Sequence, residues 1–419
     1  MTKINITDRS ITYQSTIPAN AGAEVTLFVR EYDGTPPTQD HRPVLMLHGR
    51  SAPAAAAYDL VLPHGFGDGG AEDRYSWAQY LAKAGYDVFI MDLQGNGEST
   101  RPDVMNDPCN ANPAQQLPVL VPNPLPQACA PLYPHQLGNS ESEWAELDAV
   151  VRMIRGLSPD RDKPIEFIGW SAAAFVMGPY TIQHPENVAR LILLAPIFPP
   201  RGRWSTQPDN PFGRPLDPQG LPVALPVSQP AVLFGFPLNV NSKSGFATSW
   251  DIEQGSPDQR EPGMDDQVWE TMIATDETGL KWGPPAVPYG PPAGVLRFRN
   301  TYWWGWNDQT APLADATGTP VLGGRVPVLI VYGALDKQAN NAATLPPVAH
   351  FSVPDLYDAI AGPQKLMFCY TNAGHMMAWE RPATFLHHMS RQWLDDGKVE
   401  GLTTGSYLRD ADGELTPLQ

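Results

Sequence analysis

The run from residue 165 to residue 178, IEFIGWSAAAFVMG, decides how this chain is read. A short apolar strand runs straight into Gly169-Trp170-Ser171-Ala172-Ala173, and a helix of small residues follows. Such a strand–turn–helix predicts strained backbone at Ser171, with its hydroxyl held at the top of a sheet and turned into solvent or a pocket. Strand and helix approach closely around such a turn, so small neighbours are needed; Gly169 and Ala173 supply them. The backbone N–H of Ala172, next to the serine at a helix N-terminus, is then placed to bind a developing oxyanion. An isolated serine in this setting is more simply a helix N-cap. The rest of the chain has to decide between the two.

Working outward, apolar runs of similar length recur at 43–49, 87–92, 164–170, 189–195, 326–333 and 365–371. Near-continuous runs of this kind fit strands buried on both faces, which means a mostly parallel sheet. Helical patterns at 75–85, 142–157 and 382–394 fall between them, so the prediction is an α/β fold with helices on both faces of the sheet. SITYQST and AEVTLFVREY near the start partly alternate, as an antiparallel hairpin does. Asp412-Gly413 marks a turn that closes a small hairpin in the tail. Two segments break the pattern. Residues 101–139 carry nine prolines, and residues 200–322 hold seven of the twelve tryptophans. Both leave the C-terminal ends of predicted strands, the edge where open α/β sheets bind ligands. Residues 200–322 are therefore read as a cap inserted between a first core segment, 1–199, and a second, 323–419.

A serine nucleophile needs a base, and the base needs an acid to hold its tautomer. VPVLIVYGALD places Asp336 just past a strand, and KLMFCYT leads to Asn372-Ala373-Gly374-His375. The chain order is Ser171, Asp336, His375, the order of the α/β-hydrolases. The sequence resembles that family, specifically its capped serine hydrolases. PVLMLHGR is similar to the family's strand ending in His-Gly, DVFIMDLQGNGEST to its D-x-x-G-x-G-x-S segment, and AGHMMAWERP to its histidine loop. GWSAAA and YGALD complete the set; Ala173 stands where the family usually has glycine. The resemblance implies that Arg50, after His48-Gly49, gives the second oxyanion N–H. The later pair His64-Gly65 ends no strand and is expected at the pocket rim. It further implies a carboxylic ester hydrolase working through an acyl-enzyme on Ser171, with a small-molecule ester as partner and with no cofactor or metal. A carbon–carbon hydrolase with the same triad is the alternative, and a non-catalytic binder the third reading. Trp170, Trp303, Trp304 and Trp306 are candidates for a pocket that takes a bulky apolar or aromatic group, although the cap's tryptophans could equally form its own core.

Other residues have plainer readings. His48 is expected to fold its loop, and Asp92 to bond the N–H groups of the turn around Gly95 and Gly97, with the triad acid as its alternative role. His387 and His388 read as ordinary helix residues. Asp265-Asp266, with Asp258 and Glu261, lacks EF-hand spacing and reads as a solvated acidic loop. The Arg50 guanidinium is surplus to an N–H role; it either pairs with an acid of an insert and pins it, or binds a substrate carboxylate. With 28 basic and 45 acidic residues the net charge is −17, which disfavours nucleic acid and anionic membrane as partners. No apolar run is long enough for a membrane span, and the first residues lack a secretory h-region, so the expected location is the cytoplasm. Three cysteines make no framework. Cys109 and Cys129 share a loop, and whether they pair is left open; Cys369 reads as a core thiol. Oligomeric state is not legible.

Overall fold

The computed structural model describes the chain except residues 1–3, 37–38, 68, 134–135, 159, 206, 208, 216–236, 286, 342–349 and 419. Ten strands form its main sheet: β1 (Asn5–Gln14), β2 (Glu24–Asp33), β3 (Pro43–Leu47), β4 (Asp87–Met91), β5 (Ile165–Trp170), β6 (Val188–Leu194), β7 (Val328–Gly333), β8 (Lys365–Tyr370), β9 (Gly405–Arg409) and β10 (Leu415–Pro417). Their spatial order is β1-β2-β4-β3-β5-β6-β7-β8-β9-β10. From β4 to β9 all neighbours run parallel, and the predicted hairpins at the two ends of the chain, β1–β2 and β9–β10, are antiparallel edges.

Alternate strand residues go to opposite faces, because successive side chains point to opposite sides of a strand. Leu45 and Leu47 join one apolar cluster with the helices α3 (Ser140–Leu157) and α4 (Ala174–Gln183). Val44 and Met46 join the other, with α1 (Ala54–Tyr58), α2 (Trp77–Lys83) and α8 (Ala383–Asp396). Helices thus cover both faces. Helix α3 starts where the Asn139 side chain accepts the Ser142 N–H while the Ser142 hydroxyl takes the Asn139 N–H, a capping box. It is the longest helix among the described residues, and its buried side carries Glu143 and Glu146 as well as apolar groups. Helix α1 lies in the stretch between β3 and β4, shortly after His48-Gly49.

The register sets the working edge. Leu47 pairs with Met91 and with Gly169, Trp170 pairs with Leu194, and Gly333 pairs with Tyr370, so the C-terminal ends of the central strands finish level. Over this edge lie residues inserted between β6 and β7. They include an antiparallel pair, Leu238–Asn241 with Leu296–Arg299, and two helices, α5 (Lys243–Asp251) and α6 (Met264–Ile273). The Pro-rich segment 101–139 does not wander free. Met105, Leu120, Leu125 and Leu137 share a third apolar cluster with Leu238, Val240 and Trp282 of the larger insert. Cys109 and Cys129 are joined as a disulfide, which answers the question left open above. Beside it the Gln116 side-chain amide donates to the carbonyls of Cys109, Ala111 and Cys129 and accepts the Cys129 N–H.

Two arginines of the inserted strand pair are buried. Arg299 meets Glu143 and Glu146 of α3 at 3.1 Å each, and Arg297 meets Asp276 at 2.6 Å. Glu261 corrects the reading of a solvated acidic loop: it is buried between Arg74, at 3.4 Å, and Arg381, at 3.2 Å. Asp265 and Asp266 sit in the first turn of α6, where a helix N-terminus favours negative charge, and Asp266 pairs with Lys243. Among the described residues, no helix is long and apolar enough to cross a membrane.

Candidate active site

Strand β5 ends at Trp170 and α4 begins at Ala174; between them Ser171 takes a φ of 59°. That left-handed conformation is costly for any residue with a Cβ, and it lifts the side chain off the end of the sheet. The tight approach expected at this turn is met at Gly169. A Cβ there would lie 3.2 Å from the Ala173 Cβ and 3.1 Å from the Met177 sulfur, so glycine on the strand side leaves room for alanine on the helix side.

The strand ends bring Ser171, His375 and Asp336 together. His375 Nε2 lies 2.8 Å from Ser171 Oγ, and Nδ1 lies 2.9 Å from Asp336 Oδ2. An ionised carboxylate only accepts, so the ring proton sits on Nδ1 and Nε2 faces the serine as an acceptor. Asp336 is itself fixed, because its Oδ1 accepts the N–H groups of Gln338 at 2.8 Å and Ala339 at 2.7 Å. The Trp170 indole donates to the His375 carbonyl at 3.1 Å and holds the loop from the elbow side. Burial of His375 opposes an imidazolium, but the carboxylates of Asp336, Glu253 and Glu380 outweigh it and raise the group above the ordinary histidine value. Burial pushes Glu380 up to about 7; its oxygens accept the Trp250 indole at 2.9 Å and the Gly374 N–H at 3.0 Å.

Asp92 has no place in this relay. It is buried, with Oδ1 accepting the Ala54 N–H at 2.8 Å and Oδ2 the Glu98 N–H at 3.0 Å, the turn-bonding role expected of it. His48 also folds its loop: Nδ1 bonds the Gly49 carbonyl, Nε2 accepts the Leu93 N–H at 3.2 Å, and burial holds the ring below its ordinary pKa, hence neutral. His64 does not reach the pocket rim; it is exposed and paired with Glu72.

Ser171 and His375 open into a cavity of about 570 Å³, whose wall also includes Gly49, Arg50 and Ala172. Much of that wall is apolar. Trp170 and Phe175 come from the core, and Phe246, Met272, Phe298 and Trp303 from the insert. The four candidate tryptophans divide. Trp303 is stacked on Phe175 at 4.5 Å and donates to Glu143 Oε2 at 2.6 Å. Trp304 and Trp306 lie off the cavity: Trp304 packs edge-on against Trp144, and Trp306 against Phe198 with its indole bonded to the Ile197 carbonyl. Trp250, Trp269 and Trp282 are buried as well, and Trp250 and Trp269 share an apolar cluster with core residues such as Ile168 and Trp379, so most of the insert's tryptophans pack it against the core. The Arg50 guanidinium is buried against insert residues, bonding Asn300 Oδ1 and lying 5.1 Å from the Phe298 ring centre. Among the described residues its hydrogen-bond partner is an amide. Burial lowers this arginine to about 10.

Sequence reading missed Glu253 and Glu380 beside the histidine, and nothing in the spacing of the first signals its role. It also missed a group at the opposite end of the parallel strands, where Asp33, His41 and Asp87 each bring a ligand atom within 4.8 Å of the others. His41 and Asp87 pair there at 3.2 Å, and burial, with Glu31 and Asp33 close by, pushes Asp87 up to about 7.

No curated protein matches the chain. Solved structures with a similar course include an esterase from Thermogutta terrifontis, 14% identical over 92% of this chain and 98% of that one, with a TM-score of 0.43. A carboxylesterase from Bacillus subtilis is 12% identical over 94% of this chain and 93% of its own, with a TM-score of 0.45. A 2-hydroxy-6-oxo-6-phenylhexa-2,4-dienoate hydrolase from Rhodococcus sp. strain RHA1 is 13% identical over 92% and 99%, with a TM-score of 0.43. The alpha/beta hydrolase fold family matches residues 59–382, a span that runs from the end of α1 past the histidine loop. Parallel strands ending level, a serine on a strained elbow and a family match over most of the sequence agree: this chain belongs to the α/β-hydrolase fold family.

Proposed function

We propose that the protein is a serine hydrolase that cleaves a carboxylic ester of a bulky, apolar or aromatic small molecule. The observation that carries the reading is the relay Asp336–His375–Ser171, hydrogen-bonded at 2.9 and 2.8 Å and opening into a largely apolar cavity. Ser171 Oγ attacks the acyl carbon while His375 Nε2 takes its proton. The new C–O bond makes a tetrahedral oxyanion, and the backbone N–H groups of Ala172 and Arg50 stabilise it. Each such donor is worth about 3–4 kcal/mol in the transition state. Collapse breaks the bond to the alcohol, which leaves with the proton held by His375. Water, deprotonated by the same nitrogen, then releases the acid and regenerates Ser171. Asp336 holds the imidazole in its tautomer and stabilises imidazolium without taking the proton. In this reading residues 200–322 are a cap that contributes Phe246, Met272, Phe298 and Trp303 to the substrate wall.

A panel of p-nitrophenyl esters of increasing acyl length, run beside a vinylogous diketone, tests the reaction class. Turnover of the esters with a covalent fluorophosphonate adduct on the Ser171 peptide is expected. Turnover of the diketone alone would move the reaction to carbon–carbon cleavage. A protein that neither labels nor turns over any ester is not this enzyme.

A further inference from the structure

Glu253 follows α5 in the insert, 122 residues before His375 in sequence, and is buried. Its two oxygens serve two different loops of the core. Oε2 accepts the backbone N–H of His375 at 2.7 Å, and Oε1 accepts the backbone N–H of Lys337, the neighbour of Asp336, at 3.1 Å. One carboxylate therefore bridges the loop that carries the base and the loop that carries the acid. The histidine loop is shaped for the contact: a Cβ at Gly374 would sit 2.9 Å from Glu253 Oε2 and 3.3 Å from Glu380 Oε1. The tie is reciprocal, because Glu380 of that loop accepts the indole N–H of Trp250 from the insert. Burying a carboxylate costs several kcal/mol unless it is well bonded, and a neutral acceptor could satisfy the same N–H groups more cheaply.

We propose that Glu253 is a positioning residue for the reaction, which fixes the His375–Asp336 distance and adds negative charge behind the imidazole, so that a competent base requires the insert to be seated. The inference rests on the hydrolase reading above. The charged groups facing the imidazole are Asp336, Glu253 and Glu380. Two cations of the neighbouring loops are engaged elsewhere, Lys337 Nζ with the Ile252 carbonyl at 2.8 Å and Arg260 with Asp251. Glu253 is raised by its burial, which the facing histidine opposes, and His375 is raised in turn by its carboxylates against its own burial.

Glu253→Gln is the test. Glutamine keeps the size but offers one acceptor oxygen, turns an amide NH2 toward the other N–H, and removes the charge. Two readouts are compared with wild type: the rate of Ser171 fluorophosphonate labelling against pH, and the titration of the His375 ring by NMR. Labelling should slow about tenfold or more, the scale of one charge-assisted hydrogen bond, with KM for a small ester changed less than about twofold. The midpoint of the histidine titration should fall by about one pH unit. A folded variant with both rate and midpoint unchanged overturns the proposal. If Glu253→Gln fails to fold, Glu253→Asp carries the test. It retains the charge on a shorter arm, so the midpoint should stay while labelling slows, and a wild-type labelling rate overturns the proposal. Wild type that neither labels nor hydrolyses any ester sinks the hydrolase reading. The ring titration then still decides whether Glu253 sets the histidine.

Discussion

The sheet and the insert that lies over its edge are held together by different physics. In the central strands every residue of β3, β4 and β7 is buried and nearly all are apolar, so cohesion there is area removed from water. The inserted strand pair buries arginines instead. Arg297 and Arg299 each find carboxylates, and Trp303 hangs from one of the same carboxylates, Glu143. Buried pairs of this kind add little net stability over apolar packing, but losing one partner strands the other. The lesson is that the insert's seat on the core is mixed. Arg299 ties it to Glu143 and Glu146, whereas Phe246, Trp250, Trp304 and Trp306 share apolar clusters with core residues. The wall of the cavity and the Glu253 tie to His375 both depend on that seat.

The largest effect should fall on the sheet edge and leave the insert alone. Ser171→Ala and His375→Ala should each lower kcat by about 10⁴-fold or more, and Ser171→Ala should leave the melting curve unchanged, since the serine side chain carries no core packing. Asp336→Asn should cost about 10³- to 10⁴-fold, somewhat less, because it acts through the histidine. If Ser171→Ala retains more than a few per cent of activity in a clean preparation, the nucleophile is elsewhere and the comparison loses its first term.

Next come changes aimed at the seat. Arg299→Met leaves Glu143 and Glu146 buried without their cation and should destabilise the protein by about 3–5 kcal/mol in denaturant titration. An Arg299→Met variant that melts like wild type would mean that apolar contacts hold the insert, as they do the core. Trp306→Ala, in the packed interior, should also cost about 3–5 kcal/mol, with the preference among acyl chain lengths kept. Trp303→Ala, which opens the cavity wall, should move that preference toward longer or bulkier acyl groups, read as kcat/KM across the ester panel.

A smaller effect concerns pH. The proposed mechanism needs neutral His375 as the base, and that group is raised above 6.5. Activity should therefore fall away as pH drops through a midpoint higher than an ordinary histidine's, seen as the acid limb of kcat/KM. A limb below 6.5 would show that the facing carboxylates do not govern the base. The smallest effect belongs to Arg50→Ala. The N–H remains, so kcat on a small neutral ester should fall less than about tenfold. Its guanidinium lies against Asn300 and Phe298 of the insert, so KM should change alike for neutral and anionic esters, with a lower melting temperature. A KM rise confined to anionic esters would make it a substrate group instead.

What could be read from the sequence follows from the range of the interactions. The buried strands, the helices between them, both terminal hairpins and the elbow are set by neighbours a few residues away, so apolar runs, turn residues and the Gly169–Ala173 spacing announce them. The order of Ser171, Asp336 and His375 is legible for the same reason, since each sits one turn past a recognisable strand. The insert has no such period. Its tryptophans look alike in sequence, and only packing separates Trp303 on the cavity from Trp304 and Trp306 off it. The Cys109–Cys129 bond, the burial of Glu261 between two arginines, and the amide partner of Arg50 were equally hidden. Glu253 is the extreme case: a carboxylate in an aperiodic loop meets a backbone N–H 122 residues away. The sequence by itself determined the strands, their edge and the three residues on it, because local sterics and hydrophobic burial act on near neighbours. Only the tertiary structure decided what covers that edge and which charges surround the histidine, because buried charges choose partners by distance in space.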